Sequence, residues 1–403
     1  MIRRVISLSL FIICVIQLYP QQNVQVISNI LVYGNTRTKE DVIRKALNLE
    51  KGQPFRPEII EMSRKRLLEL NLFSVVEIEA KKSDRGMDLF VLVKERSPLF
   101  FEFTSDYSSE IFNYFLGMKT GLRNLWGKNQ DLWLVATIGD SKKLGIGYEN
   151  RYHLDFFWGL SLENVWHKNE FYDFKESRLT GKIFAGKRIS RFETYLWADY
   201  ERIQINLGAS SNQNPGELYK SGVQISYDGK DWKVFPSRGI FAQTGFYKAL
   251  DGKMRTVYNR YSFEFSSFFS LWKGHVLSFD LRSTISEKDV PLYDRLYFGG
   301  ANTLRGYSRW TNSGNNSVVL TTEYRVPVSM KKNSLEKSTT GSALYLFSDL
   351  GSLTEKKEDL RLKYFKSDFG IGFFWVIMEI SKLRIDMSIT PKVRFVIGSD
   401  WKF

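Results

Sequence analysis

The stretch SKLRIDMSI, Ser381–Ile389, alternates polar and apolar residues without interruption. In a β-strand successive side chains point to opposite faces of the sheet. A strand formed here therefore separates an apolar environment from a polar one. Its apolar face carries Leu383, Ile385, Met387 and Ile389, and its polar face carries Lys382, Arg384, Asp386 and Ser388.

The same alternation recurs in HVLSFDLRST, His275–Thr284, and in KVRFVIGSDWKF, Lys392–Phe403. Soluble β-sandwiches also alternate. The length of this tract and the 15% aromatic content favour a membrane barrel instead. At roughly 18 to 20 residues for each strand and its turn, residues 98–403 hold about sixteen strands, an even number as bacterial single-chain barrels require. We predict a mainly β protein with a 16-stranded antiparallel transmembrane β-barrel over 98–403.

The N-terminus reads as an export signal. MIRR supplies a basic segment, and VISLSLFIICVIQL supplies an apolar run too short to span a bilayer comfortably. We predict a signal peptide over residues 1–22. Cys14 is the only cysteine of the sequence and lies within it, so disulfides, thiolate catalysis and cysteine-ligated metals are excluded from the mature chain.

Residues 23–97 follow a different pattern, that of a small α+β domain with the order β-α-α-β-β. VQVISNILVYGN predicts a strand, and KEDVIRKAL predicts a helix for which Thr38 is a candidate cap. A second helix is predicted to begin at Pro57, a residue favoured in the first turn. LFSVVEIEA and MDLFVLVKE then predict a hairpin around Asp84–Gly86.

Composition argues against several functions. The net charge of +14 is not gathered into a long basic cluster, and no nucleic-acid-binding motif accompanies it, so no nucleic-acid partner is expected. The sequence contains neither a phosphate-binding glycine loop nor a Cys/His metal cluster. His153, His167 and His275 lie in no recognised catalytic motif. We predict no enzyme activity, no cofactor, no catalytic residue and no metal site.

Three motifs carry a resemblance to a known family: YGNT with L-F-S-x-V in the small domain, YDGKDWKVFPSRG (Tyr227–Gly239), and DRLYFGGANTLRGY (Asp294–Tyr307). They resemble the BamA/TamA superfamily of outer-membrane assembly and translocation proteins, although Lys230 stands where arginine is usual. The resemblance covers essentially the whole mature chain. It implies that residues 23–97 form one POTRA domain in the periplasm, and that the barrel lies in the bacterial outer membrane.

The resemblance also implies a site inside the barrel. In this family the loop carrying L-R-G-Y folds back into the lumen, which assigns that role to Arg305, Gly306 and Tyr307. The acids that match are Glu323 in LTTEYRVP and Asp349 in LFSDLG, a form of F-x-D-x-G. Alternation independently turns both carboxylates away from lipid, where a charge at mid-depth costs several kcal/mol. The final residue, Phe403, resembles the C-terminal aromatic signal by which such barrels are recognised for insertion.

The function that the resemblance implies is assembly and insertion of outer-membrane β-barrel proteins. A POTRA strand edge would bind client strands by β-augmentation, and a lateral seam between the first and last barrel strands would admit them. The implied partners are outer-membrane lipid, lipopolysaccharide and unfolded client proteins. Accessory lipoproteins and a homodimer stay open, as do two alternatives: a translocator of one dedicated substrate, as in two-partner secretion, and a passive porin.

Overall fold

The computed structural model describes residues 25–108, 113–169, 171–206, 216–231, 235–253, 255–287, 290–300, 303–308, 312–333, 338–377 and 381–399. The predicted signal peptide, residues 1–22, and Phe403 lie outside the described residues, and both stay predictions. The chain divides into two compact units, residues 1–96 and 97–403.

The first unit contains the predicted order of elements. They are β1 (Ile27–Tyr33), α1 (Glu40–Leu47), α2 (Pro57–Glu69), β2 (Phe73–Ser83) and β3 (Gly86–Glu95). The sheet order is β1-β3-β2, with β1 parallel and β2 antiparallel to the central β3. Both helices bury apolar residues with those of the sheet, among them Val42, Leu47, Leu67, Leu89 and Val91. Among the described residues no helix is long and apolar enough to cross a membrane.

The predicted cap of α1 is wrong. The helix begins at Glu40 and its N-cap is Lys39, which makes no side-chain capping hydrogen bond. The backbone N–H of Thr38 instead donates to Glu95 Oε1 at 2.6 Å. Although burial raises the pKa of Glu95, hydrogen bonds from Thr38 and its neighbours outweigh that effect and lower the pKa to about 2. Thr38 thus fixes the chain entering α1 onto the end of β3.

The second unit is a closed barrel of sixteen antiparallel strands, as predicted. The ring runs in chain order and closes where the last strand pairs with the first. Its strands are β4 (Leu99–Ser108), β5 (Asn113–Leu122), β6 (Gln130–Gly139), β7 (Ser141–Asn150), β8 (Phe156–Asn169), β9 (Phe174–Ile189), β10 (Phe192–Asn206), β11 (Gly216–Asp228), β12 (Gly239–Asp251), β13 (Val257–Ser270), β14 (Val276–Ser286), β17 (Asn316–Asn333), β18 (Ser338–Thr354), β19 (Lys366–Ile377), β20 (Ser381–Ser388) and β21 (Arg394–Ser399).

The barrel turns its apolar face outward. In β20, Ile385 is 38% exposed, whereas Asp386 beside it is completely buried. Phe395 of β21 is likewise exposed and Arg394 buried. Lipid accepts the outer side chains, and pairing with one another or with water accommodates the inner charges. The alternation in the sequence is therefore a membrane pattern with a polar lumen.

Strand direction alternates around the ring, which fixes the end at which each connection lies. We call the end where β4 begins the near end and the opposite one the far end. The segment joining β14 to β17 lies at the far end and carries a short hairpin, β15 (Leu296–Phe298) with β16 (Asn312–Gly314). The turn between β11 and β12 lies at the near end. Each of these two connections places a buried side chain in the lumen, Arg305 from the far end and Phe235 from the near end.

Candidate functional site in the barrel lumen

The segment between β14 and β17, here named the lumenal loop (Glu287–Asn315), returns into the barrel. Leu304 is completely buried against Phe298 of β15 and Val319 of β17. Gly299 and Gly300 adopt positive φ values of 106° and 80°, which L-residues with side chains rarely adopt. The N–H of Gly300 donates to the carbonyl oxygen of Tyr307 at 2.9 Å, which closes the end of the loop. Arg305, 1% exposed, lies within this closed end.

Arg305 meets carboxylates from three different strands. Its Nε and Nη2 donate to the two oxygens of Asp349 on β18, at 2.7 and 2.8 Å. Its Nη1 donates to Glu323 Oε1 on β17 at 3.1 Å and lies 3.5 Å from Asp386 Oδ2 on β20. Bidentate pairing of this kind uses the fixed fork of guanidinium, which a lysine cannot reproduce. The structure therefore brings together Arg305, Glu323 and Asp349, the residues named from the sequence, and adds Asp386.

The F-x-D-x-G motif of β18 has a physical explanation in these contacts. Phe347 places its ring 3.5 Å from the Arg305 Cζ atom, a cation–π contact on the face of the guanidinium. Asp349, two residues on, supplies the bidentate acceptor. A Cβ on Gly351 would lie 3.3 Å from both Leu304 and Phe298, so glycine leaves room for the loop against the strand. Asp349 thus binds the charge, Phe347 covers its face, and Gly351 leaves space for the side chains of Leu304 and Phe298.

Gly306 and Tyr307 complete the motif on the next strands. The N–H of Gly306 donates to Asp368 Oδ2 on β19 at 2.8 Å. A Cβ on Gly306 would lie 2.1 Å from the carbonyl oxygen of Thr390, so this position admits only glycine without displacement of the backbone. The Tyr307 hydroxyl donates to the carbonyl oxygen of Ser367 at 3.3 Å. The whole L-R-G-Y stretch is consequently fixed to β17–β20.

Further charges surround the Arg305 pair. Glu323 also accepts hydrogen bonds from Arg325 Nη2 at 2.8 Å and Arg384 Nη2 at 2.7 Å. Tyr345 of β18 bridges the network, since its hydroxyl donates to Asp386 and accepts from Arg384. The guanidinium groups of Arg305, Arg325 and Arg384 therefore face the carboxylates of Glu323, Asp349 and Asp386. We call these side chains the arginine anchor.

Sequence reasoning did not assign Arg384, Asp386 or Phe347 to the site. A signal for the first two was present, because the alternation of SKLRIDMSI already turned both away from lipid. Their partner was not evident, since Asp386 lies 81 residues from Arg305 in the chain. Pairing across such a separation depends on strand register, which local sequence does not reveal.

The lumenal loop has a second buried attachment, which the sequence did not indicate. Asp294, 8% exposed, accepts hydrogen bonds from Lys220 Nζ of β11 at 2.9 Å and from the Tyr258 hydroxyl of β13 at 2.6 Å. Arg260 Nη1, also on β13, lies 3.2 Å from its carboxylate. Lys220 is shared with Glu201 Oε1 of β10 at 3.0 Å. We call these residues the aspartate anchor.

Nothing in the described part of the chain resembles a metal centre: no group of three or more His, Cys, Asp or Glu side chains is placed to hold an ion. The three histidines lie at separate places in the barrel. His275 Nδ1 lies 2.7 Å from the Tyr324 hydroxyl, and His167 Nε2 lies 3.9 Å from Glu176. His153 lies in the turn between β7 and β8.

A small β-α-α-β-β domain, a sixteen-stranded barrel with an apolar exterior, and a loop held inside it by an arginine define an outer-membrane barrel protein of the POTRA-bearing class. Comparison with known families gives the same class of protein. The family described as Omp85 superfamily domain matches residues 124–400, and the POTRA family, described as surface antigen variable number repeat, matches residues 25–96. The chain belongs to the Omp85 superfamily. The predicted family is therefore confirmed.

Individual proteins similar to this chain in sequence or structure are consistent with this family assignment. The chain is 25% identical over 304 residues to the outer membrane protein assembly factor BamA of Nitratidesulfovibrio vulgaris, covering 70% of this chain but 38% of that protein. The crystal structure of Haemophilus ducreyi BamA lacking POTRA domains 1–3 matches with a TM-score of 0.66 at 16% identity, over 93% of this chain and 84% of that one. CdiB from Acinetobacter baumannii matches with a TM-score of 0.68 at 13% identity, over 94% and 74%.

Family membership has two direct consequences. The protein belongs to the outer membrane, with its POTRA domain in the periplasm, as predicted. Members of the family are non-enzymatic assembly and translocation factors, which agrees with the predicted lack of enzyme activity.

Proposed function

We propose that this protein assembles and inserts outer-membrane β-barrel proteins, using the junction of β4 and β21 as a lateral seam. The observation that carries the proposal is that the first and last strands of the barrel meet at this junction. β21 pairs with β4 through Val396–Gly398 and Asp106–Ser108, and these hydrogen bonds close the ring. Gly398 weakens the pairing there, because glycine lacks a side chain to pack. A client strand that offers the same main-chain hydrogen bonds can replace one partner of this pair.

The arginine anchor supports the proposal through its position next to the seam. Arg384 and Asp386 belong to β20, which pairs with β21 over Leu383–Ser388. Arg384 binds Glu323 on β17, and Asp386 lies beside Arg305. These contacts fix β20 to the lumenal loop, so that the C-terminal side of the seam has a rigid support. Opening at β4 and β21 then leaves the remaining barrel intact.

The POTRA domain supplies the second proposed contact with clients. Among the residues that the structure describes, β2 pairs with β3 on one side and with no strand on the other. Main-chain hydrogen bonds to an open edge accept many client sequences, since they do not read side chains. Exposed Lys81 and Lys82 near the end of β2 oppose indiscriminate edge-to-edge aggregation. Unfolded barrel proteins fit as partners of this edge, and outer-membrane lipid and lipopolysaccharide fit as surroundings of the barrel.

A seam lock tests the proposal. Tyr107 and Ile397 are register partners across the seam, and Ile385 and Ile397 are partners across the neighbouring β20–β21 pair. The matched variants are Tyr107→Cys with Ile397→Cys and Ile385→Cys with Ile397→Cys, both with Cys14→Ser. Directly paired strand residues approach closely enough for a disulfide. We expect oxidation of the first pair to stop insertion of client barrels into vesicles, and reduction to restore it, while the second pair has no effect.

Equal activity of the oxidised seam-locked protein and its reduced form would contradict the proposal. Depletion of the protein in cells separates the alternatives: an assembly factor leaves many barrel proteins uninserted, a dedicated translocator leaves one substrate unsecreted, and a porin leaves both processes intact. Crosslinking from β2 and from the seam strands would identify clients, accessory lipoproteins or a second copy of the chain.

A further inference from the structure

The turn between β11 and β12, here named the near-end turn (Gly229–Arg238), has hydrogen bonds among its described residues. Asp231 Oδ1 accepts hydrogen bonds from the N–H groups of Ser237 and Arg238, at 2.9 and 3.1 Å. Its other oxygen accepts from the Ser237 hydroxyl at 2.6 Å. Gly239 follows with a φ of 104°, and a Cβ there would lie 2.3 Å from the Gly229 carbonyl oxygen. These constraints explain the spacing of the D…F-P-S-R-G motif and fix the direction of the turn.

The turn directs Phe235 into the barrel interior. Phe235 is 5% exposed and belongs to a buried apolar cluster on strands distant from its own hairpin. Its ring stacks on Phe374 of β19, with centroids 5.4 Å apart and an interplanar angle of 22°. The cluster also contains Phe347, the ring that lies on the Arg305 guanidinium. The other members are Phe268, Val276, Ala343, Tyr345 and Val376.

Phe235 also contacts the arginine anchor directly. The Arg325 Cζ atom lies 5.6 Å from the centroid of the Phe235 ring and 5.7 Å from that of Phe268. Arg325 donates two hydrogen bonds to Glu323 Oε2, at 3.0 and 2.8 Å. Glu323 Oε1 in turn accepts from Arg305. A continuous series of contacts therefore joins Phe235, Arg325, Glu323 and Arg305.

The first and last residues of this series, Phe235 and Arg305, belong to connections at opposite ends of the barrel. The near-end turn carries Phe235, and the lumenal loop from the far end carries Arg305. The Phe235 and Phe268 rings lie near the Arg325 guanidinium while Glu323 accepts its hydrogen bonds, so the rings restrict the orientation in which the guanidinium reaches Glu323. A cation held in this way has fewer alternative rotamers than one in open water.

We propose that Phe235 is a positioning residue for the arginine anchor: it holds Arg325 against Glu323, and so couples the near-end turn to the lumenal loop. Displacement of the turn loosens the loop at the other end of the barrel. The inference does not depend on the proposed assembly activity, because both the coupling and its test concern only this chain.

The test reads loop exposure from a single cysteine. Ser308→Cys in the lumenal loop, with Cys14→Ser, is labelled by a polar maleimide in protein folded into lipid vesicles. We expect Phe235→Ala to raise the labelling rate about 5- to 30-fold. Phe246→Ala is the matched control, since it removes the same atoms from an exposed position on the outside of β12. It should leave the labelling rate unchanged.

Two further variants keep the inference testable if Phe235→Ala folds poorly. Phe235→Leu retains apolar volume but offers Arg325 no ring, so we expect faster labelling than in the Phe246→Ala control. Arg325→Lys retains the charge and loses the planar guanidinium. Adding Phe235→Leu to Arg325→Lys should then give no further increase. Labelling of Phe235→Leu equal to the control, or independent increases in the double variant, would overturn the proposal.

Discussion

Both anchors of the lumenal loop are buried ion pairs between the loop and the barrel wall, but the charges are reversed between them. At the arginine anchor the loop contributes the cation and the barrel wall contributes Glu323, Asp349 and Asp386. At the aspartate anchor the loop contributes the acid, and the wall contributes Lys220 and Arg260. The buried loop residue can therefore carry either a positive or a negative charge. The requirement is that each buried charge has a compensating partner with good geometry.

The anchors differ in how much the wall depends on the loop. Lys220 retains Glu201 at 3.0 Å when Asp294 is removed. Arg178 of β9, whose Nη1 lies 3.9 Å from Asp294, likewise retains Glu201 at 2.9 Å. Asp349, by contrast, receives from Arg305 a bidentate pair, and Phe347 packs on the same guanidinium. The comparison therefore predicts unequal energies: loss of the arginine should cost more than loss of the aspartate.

Arg305→Ala should have the largest effect. Removing a buried cation leaves its acids without their shared partner, and we expect the free energy of unfolding to fall by about 3–5 kcal/mol. Urea unfolding in lipid vesicles would measure it, with heat-modifiable gel mobility as a second readout. Arg295→Ala is the control in the same loop, because Arg295 pairs with the half-exposed Glu355 and should cost at most about 1 kcal/mol. Equal losses in the two variants would end the distinction between buried and peripheral arginines.

Arg305→Lys sharpens the comparison by retaining the charge and removing the fork. Lysine cannot bind both oxygens of Asp349 in a fixed plane or stack on Phe347 in the same way. We expect a loss of about 2–3 kcal/mol, the scale of hydrogen bonds to charged groups. The same unfolding measurement applies, and Arg361→Lys at an exposed position should change nothing. Wild-type stability in the lysine variant would mean that charge alone holds the loop.

Asp294→Asn should have a smaller effect than either arginine variant. The amide retains the shape of the side chain, and Lys220 retains Glu201, so we expect a loss of about 1–2 kcal/mol. Asp359→Asn, the same change on the exposed connection between β18 and β19, provides the baseline. If Asp294→Asn destabilised the barrel as strongly as Arg305→Ala, the two anchors would be equivalent after all.

The smallest predicted effect is the change with pH in the stability difference between wild type and Asp294→Asn. Burial raises the pKa of Asp294, but Lys220 and Arg260 outweigh it, and the pKa stays below its ordinary value. A lowered pKa stabilises the folded chain fully above the ordinary value of about 3.9, and the contribution is lost as pH falls through the lowered value. The stability difference between wild type and Asp294→Asn should thus be the same at about pH 7 and about pH 4.5. Disappearance of this stability difference at about pH 4.5 would contradict the ion pairing.

Much of the fold was predictable because lipid imposes a strict rule on side chains. Alternation in SKLRIDMSI showed which residues face outward, and Ile385 and Asp386 follow it. Arg305, Glu323 and Asp349 were found through a family motif, and alternation agreed with their direction. Asp386, Phe347 and the partners of Asp294 were not found, because they meet the loop through register between distant strands. Thr38 was misjudged because the end of β3 offers its N–H a buried carboxylate.

The order of the anchor residues along the chain determines which anchor can form first as the chain emerges. Lys220, Tyr258 and Arg260, which bind Asp294, all precede it, whereas Glu323, Asp349 and Asp386 all follow Arg305. A chain emerging from its N-terminus can satisfy Asp294 as soon as that residue appears. Arg305 must wait for Glu323 of β17 and for Asp349 of β18, its bidentate partner. A chain interrupted before β18 would therefore keep the guanidinium of its lumenal loop without that partner.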